Sequence, residues 1–447
     1  MTRELILGIL LEVTRDGEYS HVALRNVLNK YQYLDKKERA FITRVTEGTL
    51  EHMIEIDYII NQFSKVKVNK MKPVIRCIMR SAVYQLKYMD SVPDSAVCNE
   101  AVKLATKKGF HTLKGFVNGV LRSIARNLDN ITYPDKTDYV NYLSIKYSMP
   151  TWILEQWLKC YEKETVEIML EDFLKENSTT IRCNLNVMSK EELIQSLENE
   201  GVHVEKHPYL PYALRISSYD YLADLDSFQK GAFYVQDISS MLVAQIANPK
   251  EGDYIIDVCA APGGKALHMA ELLHGTGHVE ARDLTDYKVN LIRENIERTG
   301  VQNMVAVKQD ATIFDEASVE KADIVVADLP CSGLGVLGKK TDLKYKMTKE
   351  TQDELVKLQR QILSKVQSYV KLDGTLIYST CTIHAEENIG NVHWFLKEYP
   401  QFKLVLIQEF LCDELKSSVQ EEGCLQLLPG VHESDGFFIA KFQKVHD

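Results

Sequence analysis

The chain has 447 residues, 45% apolar and 26% charged, too long for one compact core and ordinary enough in composition for two or three packed domains. No apolar run could span a bilayer, and the one in MTRELILGILLEVTRDGEYS is too short and too interrupted by Glu12, Arg15 and Asp16 for a signal peptide, which places the chain in the cytoplasm, away from membranes. Nine cysteines, none in a C-x-x-C pair, fit a reducing compartment and argue against disulfides and bound metal. The net charge of −10 is unevenly spread: residues 1–140 carry +6 and the remainder −16. Two stretches without an acid stand out, residues 61–80 (Lys65, Lys67, Lys70, Lys72, Arg76, Arg80) and residues 101–126 (Lys103, Lys107, Lys108, Lys114, Arg122, Arg126). Such stretches suit phosphate backbones or, equally, an ordinary solvated helix face.

Residues 1 to about 132 read as helical throughout. RAFITRVTEGTLEHMIEIDYIINQF keeps Phe41, Val45, Leu50, Met53, Ile54 and Tyr58 near helical spacing, and PVIRCIMRSAVYQLKYM opens on a first-turn proline. Pro93 starts the next helix, Gly109 stops it, and GFVNGVLRSIARNL forms another. NITYPDKTD reads as a linker. Residues 133–225 form a connecting unit, helical at first and then a small α/β element: strand TTIRCNLN, a helix capped by Ser189, and Gly201 as its stop. From 226 to 447 strands and helices alternate. YIIDVCA, HVEARD, MVAVKQD, DIVVADL and TLIYSTC predict a parallel, doubly wound sheet, with FKLVLIQ and GFFIAKF as a final pair.

The first of these strands runs into Cys259-Ala260-Ala261-Pro262-Gly263-Gly264-Lys265 and then a helix. Glycines let a ligand approach the backbone, and the helix start offers free N–H groups. The next strand ends in Asp283, placed to take ribose hydroxyls, and the one after it in Asp310, placed to accept from an adenine amino group. G-x-G-x-x-G and G-K-[ST] are both missing, so NAD and ATP, which need a phosphate cradle, fall behind a nucleoside cofactor such as S-adenosylmethionine. Acids often end strands only because strand ends face solvent. Three at successive strand mouths (Asp283, Asp310, Asp328) beside a glycine turn carry more weight.

VVADLPCSGLG closes the fourth strand with Asp328 and Cys331, and YSTC closes the fifth with Cys381. Neighbouring parallel strands deliver these groups to one crevice. Methylation of cytosine at C5 needs this set: a thiolate that adds to C6, a carboxyl group on the N3/N4 edge, and a second residue for release. A buried inert thiol is the commoner use of a cysteine, and it is expected for Cys77, Cys98, Cys160, Cys183, Cys412 and Cys424. His384 and His432 are candidate bases by residue type, but an ordinary surface position is the expectation for both.

DVCAAPGGK, DLPCSG, YSTCTIHAEEN and the terminal DGFFIAKF resemble the RNA cytosine-5 methyltransferases of the NOL1/NOP2/Sun family, while VPDSAVCNEAVKLA with GFVNGVLR resembles the RNA-binding domain of antitermination factor NusB. The resemblance covers nearly the whole chain. It implies an all-α NusB-like domain, a small α/β connecting unit and a Rossmann-like class I methyltransferase domain. It also implies Cys381 as nucleophile, Cys331 as the release residue, and cofactor contacts from Cys259 through Lys265, Asp283, Asp310 and Asp328. The domain pairing points to 16S ribosomal RNA as partner, before the subunit is fully assembled, and to a monomer. Arg182, Asn184, Gln236 and Asp237 match family positions near the RNA and the domain entry. Some relatives read R-R-H-P-D-I-K-W after the Pro-Cys motif. In GKKTDLKY, Asp342 and Lys344 match, whereas Lys340 and Thr341 depart. A tRNA methyltransferase and a non-catalytic RNA-binding factor are the competing readings, and the latter would leave both cysteines and the glycine turn idle.

Overall fold

A computed structural model describes residues 1–175, 178–420 and 423–446. The chain divides into two compact units, Met1–Leu174 with Leu337–Met347, and Lys175–Val336 with Thr348–Asp447.

The first unit is helical, with no strand among its described residues. The long periodic run of residues 40–63 is two helices, Lys36–Glu51 and Met53–Phe63, because His52 leaves helical geometry between them. Asp35 caps the first by accepting from the Glu38 N–H, and Pro73 occupies the first turn of Pro73–Tyr88, where its missing N–H costs nothing. Ile9, Ile42, Val45, Ile59, Val83 and Leu121 meet in the core of this unit. Of the cations in the acid-free stretches, Lys65, Lys67, Lys70 and Lys72 are exposed, as are Lys103, Lys107, Lys108, Lys114, Arg122 and Arg126. Arg80 is not part of that face: it is buried and forks onto both oxygens of Asp57.

Residues 337–347 pack into this same unit. Asp342 accepts from the Ser20 N–H (3.1 Å) and Oγ (2.6 Å), capping the helix Ser20–Lys30. Lys344 is buried and donates to the Glu51 carbonyl at 2.9 Å, and burial lowers its pKa to about 7. The two residues that match the relatives' pattern are thus internal anchors of the helical unit.

The second unit holds two sheets. The smaller comprises β1 (Thr179–Cys183), β2 (His203–Lys206), β3 (Ala213–Ser217) and β4 (Phe233–Val235), in the order β2-β3-β1-β4. Ser189 forms a capping box with Glu192 on its helix, Lys190–Asn199. The larger sheet comprises β5 (Tyr254–Asp257), β6 (His278–Asp283), β7 (Met304–Lys308), β8 (Ala322–Asp328), β9 (Val370–Thr380), β10 (Phe402–Leu404), β11 (Leu425–Leu427) and β12 (Phe437–Lys444). Its order is β10-β12-β9-β8-β5-β6-β7, with β11 against β12. Strands β5 to β9 pair in parallel, and β12 runs antiparallel to β9.

The period-2 alternation of these strands sorts their side chains. Ile255, Val279, Ile324 and Ile377 pack with the helices Ile238–Ala247, Gly264–Leu272 and Asp286–Thr299. Ile256, Val325, Leu376 and Phe438 pack with Lys349–Val366 and Ile389–Glu398 on the opposite face. This is the doubly wound, Rossmann-like architecture. The chain runs outward from β5 to β7 and returns to β8 beside β5, so the reversal of strand order, where such folds bind ligands, lies between β5 and β8.

Candidate active site

The carboxyl ends of β5, β6, β8 and β9 bring Asp257, Asp283, Asp328 and Thr380 to that reversal. After β5 the backbone turns through Ala260–Gly264. Gly263 adopts φ +108°, a conformation that side-chain-bearing residues rarely take, and begins the helix Gly264–Leu272. Asp283 holds the turn from the next strand. Its Oδ2 accepts from the Ala261 N–H at 3.0 Å, and its Oδ1 from the Leu284 N–H at 2.7 Å, with Lys288 at 3.1 Å. Asn295 donates to the Pro262 carbonyl at 3.1 Å from the following helix. Asp310 lies just past β7; the Thr312 hydroxyl and N–H donate to it and hold its pKa below the ordinary value.

The side chain of Lys265 does not point at an open phosphate site. Its Nζ sits 2.8 Å from Asp328 Oδ2, and the Ser379 hydroxyl donates to Asp328 Oδ1 at 2.7 Å. Burial opposes the lysine's charge, but Asp328, with help from Asp257, more than offsets it, so the pKa of Lys265 is raised. The ammonium stays a cation beside the acid at the end of β8.

Asp257 is the buried acid that the sequence did not single out. It is 1% exposed, accepts only from the Cys259 N–H at 3.4 Å, and its Oδ2 has no partner. Burial, then the charge of Asp328, raise its pKa to about 7 against the pull of Lys265. Such a group contributes stability that is whole below its unfolded value of ~4 and is lost as the pH climbs through ~7. Asp257→Asn cannot ionise. Its melting temperature relative to the unsubstituted protein is therefore expected to rise between pH ~5 and pH ~8. Parallel melting curves across that interval would contradict the assignment. Cys259, next to this acid, has its thiol pKa raised by burial first and Asp257 second.

Cys331 and Cys381 come together. Their Sγ atoms lie 3.2 Å apart, at the ends of adjacent strands whose register pairs Asp328 with Ser379. The hydrogen bond to Cys381, then burial, push the Cys331 thiol well above its ordinary pKa. The loop after Cys331 closes tightly on the strand mouths: the Gly335 N–H donates to the Cys381 carbonyl at 3.1 Å, and a Cβ on Gly335 would lie 2.0 Å from the Gly436 carbonyl. Only glycine fits there, which gives the DGFF segment before β12 its place in the site.

Of the cysteines expected to be inert and buried, Cys77, Cys98, Cys183 and Cys424 are buried, Cys412 is half-buried, and Cys160 is exposed at the end of Thr151–Cys160. The histidines also differ from expectation. His384 is largely enclosed, with Nδ1 3.2 Å from Glu387 Oε1, and the His432 ring is bonded to Ser418 and the Leu428 backbone. Arg182 is buried, donates to Gln236 at 2.7 Å and pairs with Glu271, and a Cβ on Gly264 would lie 3.7 Å from the Gln236 side chain. Asn184 donates to the Gly231 carbonyl, and Asp237 caps Ile238–Ala247. Sequence reasoning passed over Glu387 and Asn388, which are wholly buried behind the two cysteine loops. The run Glu386-Glu387-Asn388 in the polar turn after β9 was the available signal, but nothing in it separates the buried Glu387 from its exposed neighbour Glu386.

Three family profiles match the chain: NusB family over residues 1–126, the ferredoxin-like domain of RsmF/B-like methyltransferases over 149–220, and 16S rRNA methyltransferase RsmB/F over 244–443. Among curated proteins, the chain is 35% identical to the probable ribosomal RNA small subunit methyltransferase B of Bacillus subtilis (strain 168), covering 99% of this chain and 98% of the relative. Among solved structures, PH0851 superposes with a TM-score of 0.82 at 27% identity, covering 99% of this chain and 98% of that one. NSun6 from Pyrococcus horikoshii with SFG gives 0.59 at 27% identity, covering 66% of this chain and 97% of that one. With that identity spread over its full length, a NusB-type helical region and a class I methyltransferase fold, the chain belongs to the ribosomal RNA small subunit methyltransferase B family.

Proposed function

We propose that the chain makes 5-methylcytidine in 16S ribosomal RNA by S-adenosylmethionine-dependent methylation at cytosine C5, through a covalent adduct between Cys381 and the base. The observation that carries the reading is the pair of sulfur atoms 3.2 Å apart beside Asp328. Residues 1–132 serve as the RNA-binding part, 133–225 as the connecting unit and 226–447 as the catalytic domain. The enzyme works in the cytoplasm as a monomer, on rRNA that is not yet fully assembled.

The residues present suit a nucleoside cofactor without phosphates. The helix start at Gly264, the turn held by Asp283 and the acid at Asp310 offer donors to a carboxylate and acceptors to ribose and adenine. The cations nearest the turn, Lys265 and Lys288, are committed to Asp328 and Asp283. When bound, S-adenosylmethionine supplies an electrophilic methyl group. Ala260, Ala261 and Pro262, with Cys259 beneath them, shape the turn. Asp283→Ala removes both the ribose acceptor and the tie to Ala261, and should weaken cofactor binding by about 1.5–3 kcal/mol. Calorimetric titration checks this; unchanged affinity would remove Asp283 from the cofactor site.

The protein's own groups divide the chemistry. The Cys381 sulfur forms a bond to C6 of a cytosine that has left its stack, and the ring electrons move to C5. Asp328, fixed by Lys265 and Ser379, accepts from the amino group at the N3/N4 edge and keeps the Lys265 ammonium beside it, whose positive charge offsets the negative charge that develops on the ring. Cys381 gives its proton to solvent before it attacks, while Cys331 keeps its own; after methylation Cys331 passes that proton across to the Cys381 sulfur as the Cys381–C6 bond breaks, and the Cys331 thiolate so formed accepts the C5 proton. The deciding experiment is methyl transfer to 16S rRNA and to tRNA in parallel, with digestion to nucleosides. The reading requires 5-methylcytidine in the ribosomal RNA; product in tRNA alone, or a methylated nucleoside other than 5-methylcytidine, would overturn it.

A further inference from the structure

Behind the two sulfurs lies a wholly buried carboxylate that no step above uses. Glu387 is 0% exposed, and every group that reaches it comes from an element carrying or supporting a cysteine. Its Oε2 accepts from the Ser332 N–H and from Gln359 Nε2, both at 2.9 Å. Its Oε1 accepts from the Ser332 hydroxyl and lies 3.2 Å from His384 Nδ1. Ser332 follows Cys331 directly. Thr382 follows Cys381 directly, and its Oγ1 lies 2.8 Å from Ser332 Oγ while accepting from the His384 N–H at 3.2 Å. Ser332 Oγ has one proton and gives it to Glu387, so the Thr382 hydroxyl donates to Ser332. Gln359 also donates to the Pro330 carbonyl at 2.9 Å, on the other side of Cys331.

We infer that Glu387 is a positioning residue for both cysteines: by holding Ser332 and His384 on one carboxylate it clamps the Pro-Cys loop to the Thr-Cys loop and sets the distance between the two sulfurs. This rests on the two-cysteine reading above. A buried carboxylate with four contacts converging on it is an expensive arrangement that a purely packed core would not need. It is matched here to two loops whose other direct links include the Ser332–Thr382 hydroxyl pair, the thiols and the backbone hydrogen bonds of Gly335 to Cys381 and Leu329 to Ser379. A shift of about 1 Å between reacting groups costs on the order of 10²-fold in rate, so a clamp behind the loops acts on kcat without touching the substrate.

Glu387→Ala removes the clamp. Glu387→Gln can keep it, because a hydroxyl and a histidine nitrogen, both able to accept, face Oε1, while Oε2 needs only an acceptor. Ser332→Ala removes the hydroxyl link alone. Three readouts separate the possibilities. The first is steady-state kinetics: Glu387→Ala should lose on the order of 10²-fold in kcat with KM for S-adenosylmethionine unchanged, and Glu387→Gln should recover most of that loss. The second is geometric and independent of catalysis. Oxidised dithiothreitol converts two nearby thiols to a disulfide and is itself reduced to the dithiol. The rate of Cys331–Cys381 cross-linking, read by peptide mass, should fall in Glu387→Ala and in Ser332→Ala and stay closer to the starting rate in Glu387→Gln. The third is methylation by Cys331→Ala and Cys381→Ala.

Wild-type kcat and cross-linking rate in Glu387→Ala would overturn the inference while leaving the cysteine roles intact. If Glu387→Ala does not fold, Ser332→Ala decides in its place by the same cross-linking rate. A loss in Glu387→Gln as deep as in Glu387→Ala would also overturn it, pointing to the charge rather than the clamp. Full methylation by both cysteine variants would instead sink the two-cysteine reading, whatever Glu387 does to the cross-linking rate.

Discussion

Cys331→Ala, incubated with substrate RNA and S-adenosylmethionine, is expected to accumulate a protein–RNA species that survives denaturing gel electrophoresis, whereas Cys381→Ala is expected to be inactive and to form none. The asymmetry follows from splitting the reaction into addition and elimination. With Cys381 gone no bond to C6 can form. With Cys331 gone the bond forms and its release stalls. The two sulfurs lie 3.2 Å apart, so the release residue is within reach of the sulfur it has to free. A trapped species with Cys381→Ala and none with Cys331→Ala would reverse the roles.

Asp328→Asn is expected to lower kcat by about 10²–10³-fold, the cost of losing one preorganised group at a developing charge. An asparagine keeps an acceptor for Ser379 but removes the anion that Lys265 faces at 2.8 Å. Both addition and elimination should slow, since each passes through a ring whose N3/N4 edge carries charge. Pre-steady-state measurement of adduct formation and of product release checks this. A defect confined to cofactor affinity would show instead that Asp328 serves the cofactor.

Strand ends were legible in the sequence because parallel strands buried on both faces read as apolar runs that stop at an acid or a thiol. Asp283, Asp328 and Cys381 therefore sit where HVEARD, DIVVADL and YSTC end, whereas β5 stops at Asp257, three residues before the end of YIIDVCA. Short elements were not: β4 and β11 have three residues each, and three residues carry no period. The break at His52 was hidden because the apolar spacing continues across it. What the sequence withholds most is pairing. Lys265 belongs to the glycine turn by position yet spends its charge on Asp328, and Glu387 looks like any acid of a polar turn until Ser332 and Gln359 are seen around it. Likewise Asp342 and Lys344 align with a relatives' motif, yet in the fold they hold Ser20 and Glu51 inside the helical unit.

The sulfur that bonds to RNA can be identified outright. RNA carrying 5-fluorocytidine at the target has no C5 proton to lose, so once methylated it stays joined to the protein. Digestion of that complex and mass spectrometry of the peptide bearing the nucleotide should place the bond on Cys381, in the peptide that contains YSTCTIHAEEN. Attachment at Cys331, or failure of any S-adenosylmethionine-dependent complex to form on a 16S rRNA substrate, would contradict covalent catalysis by Cys381.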